Sequence, residues 1–209
     1  MTRHVWSVGE VADAAGPSAN LRNYFEQRDL RRCVAAAAAL KPIRSACDIG
    51  CGYGRLTMVL AEVAAEVVGF EREATFVEEA RRLLPAVEFC QVASLGKLPK
   101  PTGSFDFAMT FTVLQHMRDS EALDALTEVK RVAKGGFVLL TEETDPSLMD
   151  GGAQEPEVGL TMGRAEQTYA EWMKPYEQIL RFPRQIEPGY PRENVGTYML
   201  FLDPRPGQA

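Results

Sequence analysis

The chain has 209 residues, a length typical of one domain that buries a substantial core. Apolar residues make up 45% and charged residues 25%, which excludes a disordered, collagen-like or disulfide-scaffold protein. The formal net charge of −6 argues against a dedicated nucleic-acid binder, because such proteins carry a basic surplus.

Neither a membrane span nor a metal site is indicated by the composition. Apolar runs fall short of the roughly 20 residues that a span requires, and residues 1–6 precede no apolar signal segment. We therefore expect a cytoplasmic protein. Its four cysteines form no CxxC pair and only two histidines are present, so we expect reduced thiols rather than a zinc site.

The first two thirds of the chain predict alternating helices and strands. Apolar residues at helical spacing indicate a helix over 19–40, which ends before Pro42. Short apolar segments then predict strands at 44–49, 66–70, 87–92, 105–112 and 137–142. Helical patterns separate most of these strands, so we expect an α/β fold with a parallel sheet and helices on both faces.

The last third departs from this alternation. A long polar, glycine-rich stretch over 144–162 precedes a short helix over 165–173. Strands at 178–186 and 195–203 are joined by too few residues for a crossover helix, so they should pair antiparallel. We divide the single predicted domain into an N-terminal helical cap (18–42), a cofactor-binding core (43–143), a lid-like loop (144–164) and a helix with a C-terminal hairpin (165–209).

A glycine-rich turn carries the strongest chemical signal. Gly50, Gly52 and Gly54 follow a strand that contains Asp48, and a helical pattern begins directly afterwards. Glycines let the backbone approach a ligand closely, and the amides of a helix N-terminus favour an anionic or polar group. Glu71 ends the next strand, where a carboxylate accepts the hydroxyls of a ribose. The pattern predicts a nucleoside-containing cofactor at the carboxyl ends of the first two strands.

The motif lacks the third glycine of the dinucleotide fingerprint, because Arg55 occupies that position. With its acid at the strand end, the stretch from Asp48 to Gly54 instead resembles the first motif of the class I S-adenosylmethionine-dependent methyltransferases. The resemblance extends over about Ser45 to Glu143. The further segments that match are 67–71, 104–109 with 113–116, 128–132 and 134–136.

This resemblance implies a Rossmann-like, seven-stranded, mostly parallel sheet whose last strand is antiparallel, with S-adenosyl-L-methionine as the cofactor. Glu71 would bind the ribose. Ala93 stands where the family often has an acid for the adenine amino group, so that contact falls to Ser94, to the backbone, or is absent. Ser94 is equally well explained as a turn residue. Leu95 would pack on the adenine.

Other residues complete the predicted cofactor site. Tyr24 and Arg28 share a face of the N-terminal helix with Arg31, and an arginine there would pair with the methionine carboxylate. The alternative is a solvated helix face. Cys51 and Thr110 are also expected to contact the cofactor.

Two residues are candidates for removing a proton from the methyl acceptor, a step that hydroxyl and ammonium acceptors need. His116 follows the fourth predicted strand and Glu142 ends the fifth, with Glu143 and Asp145 close in sequence. Side-chain alternation predicts that only one of Glu142 and Glu143 points inward. A backbone-bonded histidine and solvated carboxylates are the alternatives. Tyr169 and Trp172 would line an acceptor pocket or belong to the core.

The function predicted from these residues is metal-independent methyl transfer to an oxygen or nitrogen of a small molecule. Strand four ends in Thr110 rather than an acid, and no motif for methylation of DNA bases follows it, so we expect no metal and no DNA partner. The alternatives are a tRNA or protein methyltransferase, and a non-catalytic S-adenosylmethionine-binding protein of the same fold. We expect no membrane partner, and the sequence does not indicate an oligomeric state.

Overall fold

The computed structural model describes residues 19–149, 161–184 and 196–205. The helices are α1 (Ala19–Ala38), α2 (Thr57–Leu60), α3 (Ala74–Leu83), α4 (Asp119–Val132) and α5 (Glu166–Met173). The strands are β1 (Ser45–Ile49), β2 (Glu66–Glu71), β3 (Glu88–Gln91), β4 (Phe107–Phe111), β5 (Phe137–Glu143), β6 (Glu177–Pro183) and β7 (Gly196–Leu202). Short 3₁₀ helices lie at Leu114–His116 and Pro146–Met149.

The strands form one sheet of seven in the order β3-β2-β1-β4-β5-β7-β6. Strands β1 to β5 pair in parallel, whereas β7 is antiparallel to both of its neighbours. The fold class predicted from the sequence is therefore confirmed, and so is the antiparallel pairing of the last two strands. Their junction, residues 187–193, lies outside the described residues.

Two element boundaries differ from the sequence-based expectation. Glu71 is the last residue of β2, not the first residue after it, because it pairs with Gln91 of β3. The helix after the glycine turn is only four residues long. Its apolar stripe continues, but Val63 and Ala64 both donate to the carbonyl of Leu60, so the chain tightens into a turn and enters β2.

The core lies on both faces of the sheet. Helices α4 and α5 cover one face, where Tyr169 and Met173 are fully buried. Helices α1 and α2 cover the other face, where Leu30 and Val34 pack with the core residues of β4 and β7. Tyr169 and Met173 are thus core residues, and Trp172 packs against the same cluster. Among the described helices, none has the length and apolarity required to cross a membrane.

Candidate active site

The glycine turn lies at the carboxyl ends of the parallel strands, where open α/β sheets bind ligands. The φ values of Gly50, Gly52 and Gly54 are 77°, 54° and 83°, a region of backbone conformation that residues other than glycine rarely adopt. A Cβ on Gly50 would come within 2.5 Å of the Val113 side chain. A Cβ on Gly52 would meet no atom within 4 Å, so the turn faces open space at that residue.

Glu71 ties the glycine turn to the end of β2. Its Oε2 accepts a hydrogen bond of 3.0 Å from the backbone N–H of Gly52. Its Oε1 accepts hydrogen bonds from the N–H groups of Arg72 (2.6 Å) and Glu73 (3.1 Å). These bonds hold the carboxylate beside Gly52 and its open space. Each oxygen has two lone-pair directions, so Oε1 is fully used and Oε2 can accept a further donor.

An open groove of about 430 Å³ adjoins Glu71. It is lined by Arg72, Glu73, Gln91, Val92 and Ala93. The side-chain amide of Gln91 donates to the carbonyl of Arg72 over 3.2 Å, which joins the loops after β2 and β3. The groove lies at the ends of these two strands, where the sequence predicts the adenine.

The two adjoining residues differ in exposure. Ser94 is exposed, and its hydroxyl accepts a hydrogen bond of 3.1 Å from the N–H of Gly96, a contact typical of a turn residue. Leu95 is buried in the core on the α4 side. Their predicted contacts with adenine stay predictions.

Asp48 lies beneath the glycine turn, not within the open space. Its Oδ2 accepts a hydrogen bond of 2.6 Å from the hydroxyl of Thr57 in α2, and the residue is buried. Burial raises the pKa of Asp48 to about 7, against the opposing effect of the hydrogen bond from Thr57. Asp48 therefore fixes α2 to β1. Cys51, also buried, lies with its Sγ 3.5 Å from the carbonyl of Gly52.

Glu142 is fully buried and holds the segment that leaves β4. Its Oε1 accepts from the hydroxyl of Thr110 (2.8 Å) and the N–H of Val113 (3.3 Å), and its Oε2 accepts from the N–H of Gln115 (3.1 Å). Burial raises the pKa of Glu142 to about 7, although these hydrogen bonds act in the opposite direction. Both Thr110 and Glu142 have no exposed surface, so they shape the site from beneath.

Glu143 is buried as well, so burial does not distinguish the two acids, and which of them faces the site stays a prediction. Its Oε1 accepts from the N–H groups of Thr144 (3.0 Å) and Asp145 (3.1 Å). Consecutive residues of β5 point to opposite faces of the sheet, and the N–H of Arg164 donates to the carbonyl of Glu143 at the end of the strand. Asp145 itself accepts from the N–H of Ser147 over 2.9 Å.

His116 lies in the 3₁₀ helix that follows β4, and its side chain is half-buried. The residue Thr112, at the start of this exit, has a φ of 54°. A β-branched residue at positive φ is strained, and such strain is common at functional sites. The backbone that leaves β4 is thus held in place, because Glu142 accepts hydrogen bonds from the N–H groups of Val113 and Gln115.

The N-terminal helix places its predicted residues towards the surface. Tyr24 is 62% exposed, Arg28 forms an ion pair of 2.7 Å with Asp29, and Arg31 pairs with Glu62.

Sequence reasoning missed the cluster at the start of this helix. There the buried carboxylate of Glu26 receives Arg55 of the glycine turn at 2.5 Å, together with Arg22 and Arg184. The one sequence signal for this cluster was Arg55, a charged residue directly after Gly54 that needs a partner.

Comparisons with known proteins agree with this geometry. Residues 46–136 match the family described as "Methyltransferase domain". This match and the named relatives support the resemblance of this part of the chain to the class I S-adenosylmethionine-dependent methyltransferases. A probable S-adenosylmethionine-dependent methyltransferase of Mycobacterium tuberculosis is 29% identical over 143 residues, which cover 67% of this chain and 50% of the relative. An uncharacterised 37.1 kDa transposon protein of Streptomyces fradiae is 36% identical over 124 residues, 56% of this chain and 35% of the relative. The chain spans half or less of the length of these two relatives.

Solved structures share the methyltransferase fold. The PH0226 protein from Pyrococcus horikoshii superimposes with a TM-score of 0.70 at 16% identity, covering 91% of this chain and 93% of that one. The N-methyltransferase NodS from Bradyrhizobium japonicum, solved with S-adenosyl-l-homocysteine, gives 0.67 at 16% identity, with 87% and 88% covered. The [4+2]-cyclase SpnF gives 0.60 at 28% identity, with 76% and 59% covered.

The matched family region covers only part of the candidate site. It contains the glycine turn, Glu71, Thr110 and His116. It excludes Glu142, the N-terminal helix and the whole segment after β5. The methyltransferase match therefore includes Glu71 and His116 but gives no support for the roles predicted for Tyr24, Arg28 and Glu142.

Proposed function

We propose that the chain is an S-adenosylmethionine-dependent methyltransferase that transfers a methyl group to an oxygen or nitrogen of a small molecule without a metal. The observation that carries this proposal is the arrangement of Glu71 beside Gly52. A carboxylate with a spare lone pair on Oε2 adjoins a turn that is open to a ligand, and residues 46–136 match the methyltransferase family. A groove lined by Arg72, Gln91 and Ala93 lies at the ends of β2 and β3.

The residues present fit the cofactor. Glu71 would accept the ribose hydroxyls, and the side chains around the groove would hold the adenine. When bound, S-adenosylmethionine supplies an electrophilic methyl group, so the protein has to hold an acceptor atom in line and exclude water. The exit of β4, fixed by Glu142, would form one wall of the acceptor space.

We assign the two candidate bases different roles. Glu142 has no exposed surface and accepts three hydrogen bonds, so it would position Val113 and Gln115. His116 is half-buried at the same exit and remains the candidate that would take a proton from a hydroxyl or ammonium acceptor. Metal independence is supported by the hydrogen bond that the hydroxyl of Thr110 donates to Glu142, because this bond occupies a carboxylate that could otherwise bind a metal.

Methyl transfer itself has to be measured, because cofactor binding alone does not separate the alternatives. The purified protein would be incubated with methyl-tritiated S-adenosylmethionine and three separate acceptor pools: a metabolite extract, total tRNA and a protein extract. We expect label in the metabolite pool, unchanged by a chelator. Label confined to tRNA or protein would instead support those acceptors.

Two variants make the assay decisive. Glu71→Ala should lose label, whereas Glu78→Gln, which removes one exposed charge from α3, should keep it. Binding of S-adenosylhomocysteine without label in any pool would contradict methyl transfer and support a binding protein of this fold.

A further inference from the structure

A buried arginine at the end of the predicted lid-like loop (144–164) holds the turn that carries His116. Arg164 is 1% exposed. Its Nη1 donates to the carbonyl of Leu114 over 2.9 Å and its Nη2 to the carbonyl of Met117 over 2.5 Å. These two carbonyls flank His116 in sequence, so one guanidinium bridges both ends of the 3₁₀ turn.

The backbone around Arg164 strengthens this attachment. The N–H of Arg164 donates to the carbonyl of Glu143 over 3.2 Å, and the N–H of Met162 donates to the carbonyl of Gln115 over 2.7 Å. The side chain of Gln115 in turn accepts from the N–H of Glu143 over 3.0 Å. The segment before α5 is therefore bonded to both the exit of β4 and the end of β5.

The surroundings of Arg164 explain why arginine is required. Its Nε donates to Asp119 at 2.8 Å, and its Cζ lies 5.4 Å from the centre of the Trp172 ring. A planar guanidinium donates in several directions at once, whereas a lysine ammonium is a point charge without this fork. A single lysine nitrogen would not reproduce the bonds to Leu114 and Met117 together with the ion pair to Asp119.

We propose that Arg164 is a positioning residue that fixes His116 and the exit of β4 at the acceptor side of the site. The role at the acceptor rests on the proposed methyltransferase function. The attachment of the turn does not, so the two can be tested apart. Sequence reasoning had assigned this stretch only to a lid-like loop.

The variant that tests the proposal is Arg164→Lys, which keeps the charge and loses the fork. Arg181→Lys is the matched control, because Arg181 also makes a two-nitrogen pair, with Glu166 of α5, but does not reach the β4 exit. Arg164→Gln is a second, harsher variant. All proteins would be studied with S-adenosylhomocysteine bound, and circular dichroism would confirm their fold.

The first readouts need no acceptor. Amide hydrogen exchange over residues 113–117 should accelerate at least tenfold in Arg164→Lys and stay unchanged in Arg181→Lys. The Hε1 proton resonance of His116, assigned with His116→Gln in a chain of two histidines, should shift or broaden only in the Arg164 variants. The affinity for S-adenosylhomocysteine should stay within about threefold. A folded Arg164→Lys with wild-type exchange and a wild-type His116 resonance would overturn the proposal.

The kinetic readout uses an acceptor found in the label assay. The kcat should fall at least tenfold in Arg164→Lys with KM nearly unchanged, because the turn is misplaced while binding persists. A raised KM with unchanged kcat would overturn the positioning role and make Arg164 a binding residue. If the wild-type protein labels no pool, the proposed function fails, and the exchange and resonance results still decide whether Arg164 holds the turn.

Discussion

At the scale of single residues, Glu71 has two tasks that one substitution removes together. It accepts hydrogen bonds from the N–H of Gly52 and from the N–H groups of the two residues that follow it, and it would accept the ribose hydroxyls. Hydrogen bonds to an ionised carboxylate contribute about 1.5–3 kcal/mol. A change at this position therefore reports on both the turn and the ligand.

We expect Glu71→Ala to weaken the binding of S-adenosylhomocysteine by roughly one to two orders of magnitude, measured by calorimetric titration. Glu71→Gln, which keeps the size but places a donor among donors, should weaken it as well. Glu78→Gln removes the same charge at an exposed position of α3 and should bind as the wild type does. Wild-type affinity in a folded Glu71→Ala protein would show that the nucleoside binds elsewhere.

Asp48 predicts a specific pH dependence of stability. Its pKa rises from an ordinary value of 3.8 to about 7 on folding, mainly because it is buried. The folded state therefore holds a proton that the unfolded state releases, and stability falls as pH rises from about 4 to about 7. Asp48→Asn lacks this ionisation, while its side-chain oxygen still accepts from Thr57.

Urea unfolding of both proteins at several pH values would test this. The stability of the wild type relative to Asp48→Asn should decline by up to about 4 kcal/mol between pH 4 and pH 7 and then level off. The difference between the two proteins isolates Asp48, because the other carboxyl groups are common to both. A constant difference across this range would mean that Asp48 ionises as it does in the unfolded chain.

At the scale of elements, the exit of β4 is the most constrained part of the site. Thr112 adopts positive φ while its N–H donates to the carbonyl of Thr141 over 2.7 Å, and Glu142 fixes the next residues. Asparagine tolerates this left-handed conformation better than a β-branched residue does. The bonds around the exit, not the preference of threonine, therefore determine the conformation.

We expect Thr112→Asn to raise the free energy of unfolding by about 1 kcal/mol, because it relieves backbone strain. Thr102→Asn, in an exposed turn without positive φ, is the control and should change stability by less than about 0.5 kcal/mol. Denaturant unfolding at neutral pH measures both. A destabilised Thr112→Asn protein would indicate that the threonine side chain itself holds the exit.

The sequence predicts those features of the fold and site that depend on local patterns. Glycine spacing located the turn, and the apolar strand before Glu71 located its carboxylate. Strand periodicity could not predict that both Glu142 and Glu143 are buried, because residues distant in sequence cover the end of β5. The burial and the hydrogen bonds of Arg164 could not be predicted either, because its partners lie 45 to 50 residues away in sequence.

At the scale of the whole molecule, one carboxylate links three parts of the chain. Glu26 of α1 is 2% exposed and binds Arg55 of the glycine turn and Arg184 after β6, with Arg22 from its own helix. Burial alone would raise the pKa of Glu26, but the three arginines outweigh it and lower the pKa to about 2. Glu26 thus connects the N-terminal helix to the glycine turn and to the segment after β6.

Removing this charge should destabilise the whole fold. In Glu26→Gln the arginines lose their shared counter-charge in a buried place, which costs about 3–5 kcal/mol of unfolding free energy. Glu62→Gln is the matched control, because Glu62 also links α1 to the following helical segment, through Arg31, but its side chain is 42% exposed. Loss of an exposed pair should cost less than about 1 kcal/mol.

The stability lost in Glu26→Gln should depend on pH in a specific direction. The pKa of Glu26 is lowered from 4.5 to about 2 in the folded state, so its contribution is complete above pH 4.5 and declines as pH falls towards 2. Urea unfolding should therefore show a gap between wild type and Glu26→Gln that is largest near pH 7 and narrower at pH 3. Equal losses in the Glu26 and Glu62 variants, or a gap that does not narrow in acid, would show that the cluster adds little to the attachment of α1.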